Sequence, residues 1–257
     1  MQLFFAEDIE SGYCTLNEEE SHHCVKVLRK GVGDEISVTD GRGTLCRCRI
    51  VEPNAKSCGI EVVERMEEYG RRPFRLHIAV APTKNTARME WFIEKAVEMG
   101  IDEITPIVCD HSERCVLKHE RMEKIVVSAM KQSLKAYKPI IHAPTPFRNF
   151  IDNITQQPSS NLTNSQFSIF NSQLFIAYCD GDHRQPLHDA YRAGSDALML
   201  IGPEGDFSAV EVEAALAAGF VPVTLGPSRL RTETAALAAT AFFNLASDIS
   251  GNRTIKD

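Results

Sequence analysis

At Phe74 the chain changes the spacing of its apolar residues, and that change limits what each part can become. Downstream, short apolar runs alternate with longer segments whose apolar side chains recur at helical spacing. Strands are predicted at 75–81, 104–109, 174–179, 197–201 and 221–225, and helices near 86–99, 119–136, 208–218 and 232–247. Strands and helices in alternation make an α/β layer architecture with a largely parallel sheet. Upstream, residues 1–70 carry short β-type runs between glycine-rich and charged turns. Examples are Gly31-Val32-Gly33-Asp34, Asp40-Gly41-Arg42-Gly43 and Cys58-Gly59-Ile60-Glu61-Val62-Val63. That spacing predicts a small β-barrel module, so residues 1–70 and 71–257 are expected to be separate domains.

Two helices have legible ends. Ser208 and Glu211 have the spacing of a capping box, Phe207 and Val212 that of a hydrophobic staple, and Gly219 stands where a left-handed terminating residue belongs. Met89, Phe92, Ile93, Ala96 and Val97 line one face of the first large helix before Gly100. These are packing signals without chemistry. The 151–173 segment is rich in Ser, Asn and Gln and reads as a surface loop or insertion.

No run approaches the ~18 uncharged apolar residues of a membrane helix, and residues 1–10 lack the pattern of a secretory signal. Eight cysteines occur without a CxxC pair, and Cys46 and Cys48 alternate with Arg47 and Arg49 as in a strand. Reduced thiols in a cytoplasmic protein are expected, with no metal site, no disulfide framework and no membrane partner. The sequons at Asn153, Asn161 and Asn252 are then chance matches.

The net charge of −7 argues against a nucleic-acid partner until its distribution is considered. Residues 71–150 hold 14 Lys and Arg against 9 Asp and Glu, a surplus of five in an otherwise acidic chain. Arg71, Arg72, Arg75, Lys84 and Arg88, with Lys131, Lys135 and Lys138, can form a phosphate-facing surface. The same residues serve equally well as solvated helix faces balanced by Glu90, Glu94 and Glu98.

Several common sites are missing from the sequence: GxGxxG, GxxxxGK[ST], GxSxG and HExxH. Two Gly- and Pro-rich junctions between strand and helix stand out instead. One is Ile201-Gly202-Pro203-Glu204-Gly205-Asp206-Phe207. The other is Leu225-Gly226-Pro227-Ser228-Arg229-Leu230-Arg231-Thr232-Glu233-Thr234-Ala235. Both leave the carboxyl ends of strands, where open α/β sheets bind ligands. Glycine permits close backbone approach, and first-turn helix amides are free donors, so main chain can hold an adenine and a ribose. Each loop taken alone is also compatible with an ordinary βα turn whose acids complement a helix dipole.

Together the two loops closely resemble the C-terminal motifs of the SPOUT methyltransferases, and their wording resembles the 16S ribosomal RNA uridine-N3 branch, the RsmE family. Ser21-His22-His23 followed by Val27-Leu28-Arg29 and Gly33-Asp34 resembles that family's N-terminal PUA-like barrel. Lys84, Arg88, Glu90, Lys95, Ala96, Glu98, Met99 and Gly100 match its first catalytic-domain helix, and Gln132-Ser133 with Pro139 its next one. The resemblance implies a trefoil-knotted, largely parallel sheet and S-adenosyl-L-methionine held by Ile201, Gly202, Pro203, Gly205, Leu225, Gly226, Leu230, Thr234 and Ala235. It also implies 16S rRNA of the small ribosomal subunit as the partner, contacted through Arg29, Arg72, Lys84 and Arg88, and a homodimer packed through the last helix. Asp206 stands where the family usually has a second glycine, Lys131 where an acid is common, and Leu3 where many members carry a basic residue.

Uridine N3 is a weak nucleophile while protonated, so methyl transfer must remove that proton and stabilise charge on the ring oxygens. Arg231, beside the cofactor loop and permanently charged, suits that role, with Arg229 as second candidate. Glu233 can accept a proton, but a helix N-terminus lowers its basicity, so a dipole role is expected. His22 and His23 are read as barrel residues. Residues 235–243 are apolar all round and should be buried on more than one side, within the chain or in a dimer. A non-catalytic RNA-binding or ribosome-assembly factor, or a SPOUT enzyme for another RNA, are the competing readings.

Overall fold

The computed structural model describes residues 2–9, 12–156, 172–179 and 184–251. They form two compact units. The first comprises Met1–Arg72 and Val127–Lys138, and holds β1 (Leu3–Phe5), β2 (Tyr13–Thr15), α1 (Glu18–His22), β3 (Glu35–Thr39), β4 (Leu45–Glu52) and β5 (Gly59–Met66). Its strands are ordered β1-β3-β4-β5-β2, antiparallel except for the β1–β3 pair. β4 shows why it forms: Cys46, Cys48 and Ile50 are fully buried while Arg47 and Arg49 face solvent, the period of two that a half-buried strand requires. Arg47 bridges Glu35 and Glu64 on the flanking strands. All eight cysteines are free. Burial pushes the Cys24 and Cys48 thiols up to about 12, so they behave as small apolar side chains rather than nucleophiles.

The domain boundary drawn from chain order needs one correction. Residues 127–138 return to the first unit, because Ala136 packs with Leu3 and Leu45 and its carbonyl accepts from the Gly43 amide. In the same unit Lys131 pairs with the buried carboxylate of Glu20, so a cation at the position where an acid is common has an internal partner.

The second unit contains β6 (Leu76–Val80), α2 (Thr86–Met99), β7 (Glu103–Val108), most of α3 (His119–Gln132), β8 (Ile140–Ile141), β9 (Thr145–Pro146) and α4 (Phe147–Gln156). It continues with β10 (Gln173–Ala177), β11 (Gln185–Pro186), α5 (Leu187–Ala190), β12 (Ala197–Ile201), α6 (Ala209–Ala217), β13 (Val221–Thr224) and α7 (Thr232–Gly251). Every strand pair is parallel, in the order β11-β13-β10-β12-β6-β7-β8, with β9 on β7. β6 and β12 at the centre are buried at every position. Leu198 and Leu200 join Phe147, Phe150, Ile151, Phe207 and Ala215 in one core, under α4 and α6. α7 packs on α2, β6 and β12.

The Ser208–Glu211 capping box is present, and Gly219 adopts φ +89. α2 keeps its predicted limits, with Asn85 accepting from the Ala87 amide and Gly100 at φ +109. α3 stops four residues early because Leu134 turns left-handed at φ +55. The segment read as a loop from 151 is helical as far as Gln156, the end of α4, and Gln173 already belongs to β10; the remainder lies outside the described residues. Within 235–243 Ala236, Ala239, Thr240 and Phe243 are buried and the other positions half-buried, as expected of a helix covered on more than one side; Leu245, beyond that stretch, is 63% exposed. Among the described residues no helix is long and apolar enough to cross a membrane.

Candidate active site

Parallel pairing brings the carboxyl ends of β6, β7, β10, β12 and β13 to one edge of the sheet, and the loops leaving them interlock there. The Ala81 amide donates to the Ile201 carbonyl at 2.9 Å, and the Lys84 amide to Glu204 Oε1 at 3.1 Å. From the loop after β7, His111 Nδ1 lies 3.0 Å from the carbonyls of Gly205 and Asp206, and Asp110 accepts from the Ser208 hydroxyl at 2.6 Å. Asp206 is left-handed at φ +64, a conformation that glycine adopts without cost and that Asp tolerates. Its carboxylate accepts from the Phe207 amide and, at 2.6 Å, from the Cys179 amide beyond β10. The aspartate therefore keeps the turn a glycine would make and adds a tie to the neighbouring strand.

The two candidate cofactor loops are pinned to each other by the buried hydroxyl of Thr232, which donates to the Gly202 carbonyl at 3.0 Å. Gly202 and Gly205 are tightly packed. A Cβ on the first would come within 3.0 Å of the Phe207 ring, and on the second within 3.0 Å of His111. Gly226 differs: at φ +124 it faces open space, held by Thr224 Oγ1, which contacts its amide and its carbonyl. This is a bare stretch of backbone presented at the strand ends.

Ile201, Gly202 and Pro203 are buried, Leu225, Leu230 and Ala235 half-buried, and Gly205, Gly226 and Thr234 exposed. The Arg231 carbonyl accepts the first helical bond of α7, from Ala235 at 2.8 Å, which places this exposed arginine at the head of the helix. Arg229 is exposed too. The Cys179 thiol is pushed up by desolvation and by Asp206, while Arg229 and Arg184 pull it down, so the Arg229 charge reaches the end of β10. Glu233 is buried beside Arg88, 3.6 Å away, at the positive end of α7. The pairing favours the dipole role for Glu233.

Residues 70–244 match the family described as RNA methyltransferase domain, and residues 16–63 match RNA methyltransferase PUA domain. The chain belongs to the RNA methyltransferase domain family. It is similar to the ribosomal RNA small subunit methyltransferase E of Bacillus subtilis (strain 168), 28% identical over 257 residues covering 93% of this chain and 94% of that one. Among solved structures it is similar to a probable rRNA-methyltransferase from Porphyromonas gingivalis. That match has 42% identity and a TM-score of 0.85 over 97% of this chain and 100% of the other. A second is the ribosomal RNA small subunit methyltransferase E from Neisseria gonorrhoeae, solved bound to S-adenosyl methionine: 26% identity and a TM-score of 0.78 over 95% and 97% of the two chains.

For an RNA methyltransferase domain the placement of the expected RNA contacts matters. Lys84 and Arg88 lie near the interlocked loops, yet each already faces a carboxylate: Glu113 for Lys84, at 2.6 Å, and Glu233 for Arg88. Arg121 and Lys95 are likewise engaged, with Glu90 and with Glu94 and Glu98. Much of the positive surplus is therefore balanced locally. Arg29 and Arg72 belong to the first unit, the former exposed and left-handed at φ +55.

Proposed function

We propose that this chain transfers a methyl group from S-adenosyl-L-methionine to N3 of a uridine in 16S rRNA of the small ribosomal subunit. The observation that carries this reading is the pair of loops locked through Thr232 and Gly202, presenting the open backbone of Gly226 beside the exposed Arg231. The residues fit the cofactor. The strand ends offer main-chain acceptors, the first turn of α7 offers amides with no helical partner, and no side chain fills the space at Gly226. Ile201, Gly202, Pro203, Gly205, Leu225, Gly226, Leu230, Thr234 and Ala235 would hold it. When bound, it supplies a methyl group on a cationic sulfur. The knot of the SPOUT fold is proposed with it, supported by the resemblance of both motifs.

Arg231 holds the uracil oxygens by charge-assisted hydrogen bonds and so stabilises the anion left when the N3 proton departs to solvent. Arg229 flanks the same loop. Arg29, Arg72, Lys84 and Arg88 contribute phosphate contacts, Lys84 and Arg88 by exchanging a carboxylate for a phosphate. Transfer of labelled methyl groups to small ribosomal subunits, followed by mass mapping of the uridine, tests the reaction. No transfer to any ribosomal particle favours a non-catalytic RNA-binding factor, and label on another RNA favours a different substrate.

Gly226→Val is expected to weaken S-adenosyl-L-methionine binding at least tenfold, about 1.4 kcal/mol, because a branched side chain enters the open space and φ +124 is strained for any L residue. Calorimetry on the folded variant measures this, and unchanged affinity rejects the assignment. A homodimer is also expected, supported by the exposed Leu245 of α7 and by Trp91 and Met99 of α2, the helix on which α7 packs. Sedimentation equilibrium at micromolar concentration decides it. A single species of 28.6 kDa excludes the dimer.

A further inference from the structure

The strand ends opposite the candidate cofactor loops carry a second polar cluster. His77 on β6 and Glu103 on β7 are register partners in adjacent parallel strands, and His142 follows β8, which pairs with β7 on its other side. His77 is 4% exposed and Glu103 1% exposed, deep inside a sheet whose central strands are otherwise apolar. His142 is half-buried, and its Nε2 lies 2.8 Å from Glu103 Oε2. The two imidazole rings are 5.7 Å apart, Phe150 packs its edge against His77, and Thr105 Oγ1 meets His77 Nε2 at 2.8 Å.

We propose that His77, Glu103 and His142 form a zinc site that clamps β6, β7 and β8 together. One ligand atom from each residue lies within 4.8 Å of the others. Zinc bonds of about 2.0–2.1 Å in a tetrahedron set ligand atoms roughly 3.3 Å apart, so closure needs movements of no more than about 1.5 Å, within reach of side-chain rotation. Two imidazoles and a carboxylate are a recurrent zinc donor set that leaves one position for water. The chemistry of the surroundings agrees. Thr105 and Phe150 supply the outer hydrogen bond and apolar shell that orient a metal-bound imidazole, and the partial exposure of His142 provides an entry path. Each βα segment separates this cluster from the cofactor loops by the length of a strand, so the ion is structural rather than catalytic. β8 is only two residues long, and the ion adds a further tie to its pairing with β7.

The test uses tag-free full-length protein, stripped with chelator and titrated with Zn2+ against a chromophoric competitor. One Zn2+ per chain is expected, with a rise in melting temperature on loading. Both His142→Ala, at a half-buried position, and the near-isosteric Glu103→Gln should weaken binding at least about tenfold and lose the thermal shift. His188→Ala, at an exposed histidine elsewhere, should bind as the parent does. Cobalt loading should give tetrahedral d–d bands without sulfur-to-metal charge transfer. Lack of saturable binding, parental affinity in either ligand variant, or a sulfur charge-transfer band from the free cysteines would each overturn the site.

Discussion

Arg231→Ala is expected to lower the single-turnover rate of methyl transfer to small ribosomal subunits by about 10² to 10³, with S-adenosyl-L-methionine affinity within a few-fold of the parent. The separation follows from placement. Arg231 gives its backbone carbonyl to the first bond of α7 and leaves its side chain exposed, whereas the proposed cofactor contacts are main chain of the two loops. Truncation to alanine keeps the backbone bond and removes a preorganised charged donor. Lysine should rescue poorly, since an ammonium restores the charge without the planar two-pronged donor set. Rapid-quench transfer of labelled methyl groups reports the chemical step, and calorimetry reports the cofactor. Parental rates in Arg231→Ala remove the residue from the mechanism. Equal losses in rate and cofactor affinity assign it to the cofactor loop instead.

Where local chemistry decides an element, the sequence and the structure agree. α2 has the expected ends because an N-cap asparagine and a left-handed glycine both mark it, and α6 because Ser208, Glu211 and Gly219 do. α3 runs short because its stop is a left-handed Leu134, a residue that seldom adopts that conformation and so gives no warning. α4 is obscured by its exposed Asn149 and Asn153, although Phe147, Phe150 and Ile151 have helical spacing and reach the core. The return of residues 127–138 to the first unit depends on contacts such as Ala136 with Leu3, which no local pattern encodes.

The site divides along the same line. Both glycine-rich segments are legible as loops from strand to helix, because glycine and proline at strand ends have a local cause, and both connect a strand to a helix in the structure. Their mutual lock through Thr232 and the bridge from Asp206 to the end of β10 are not legible, since hydroxyl and carboxylate side chains announce no partner 27 to 30 residues away. The cations of the middle block were legible as charges, but their carboxylate partners were set by tertiary packing. His77, Glu103 and His142 likewise have no metal-ligand spacing in sequence. Only parallel register aligns them.

Phe243→Ala is expected to destabilise the second unit by about 3–5 kcal/mol, which lowers the melting temperature by roughly 6–20 °C. Phe243 is fully buried where α7 crosses the sheet. Its ring meets Tyr191 at 4.8 Å, edge to face, and Phe175 at 5.9 Å, so truncation loses aromatic pairing as well as burial and leaves a cavity that two large rings cannot collapse to fill. The Tyr191 hydroxyl stays anchored to the Ser195 carbonyl at 2.8 Å and to Ser247 at 3.0 Å, which limits relaxation. Phe242→Ala is the informative partner. That ring is only half-buried, though it meets Tyr191 at 6.1 Å, so within one chain its loss should cost less than that of the fully buried Phe243. If α7 also carries the dimer contact, Phe242→Ala should raise the dimer dissociation constant while Phe243→Ala acts mainly on folding. Thermal unfolding read by circular dichroism, with sedimentation on the same samples, separates the two effects. A greater loss of stability from Phe242 than from Phe243 at concentrations where the chain is monomeric contradicts the assigned inner face of α7, and with it the support that this helix gives to Thr232 and the cofactor loop.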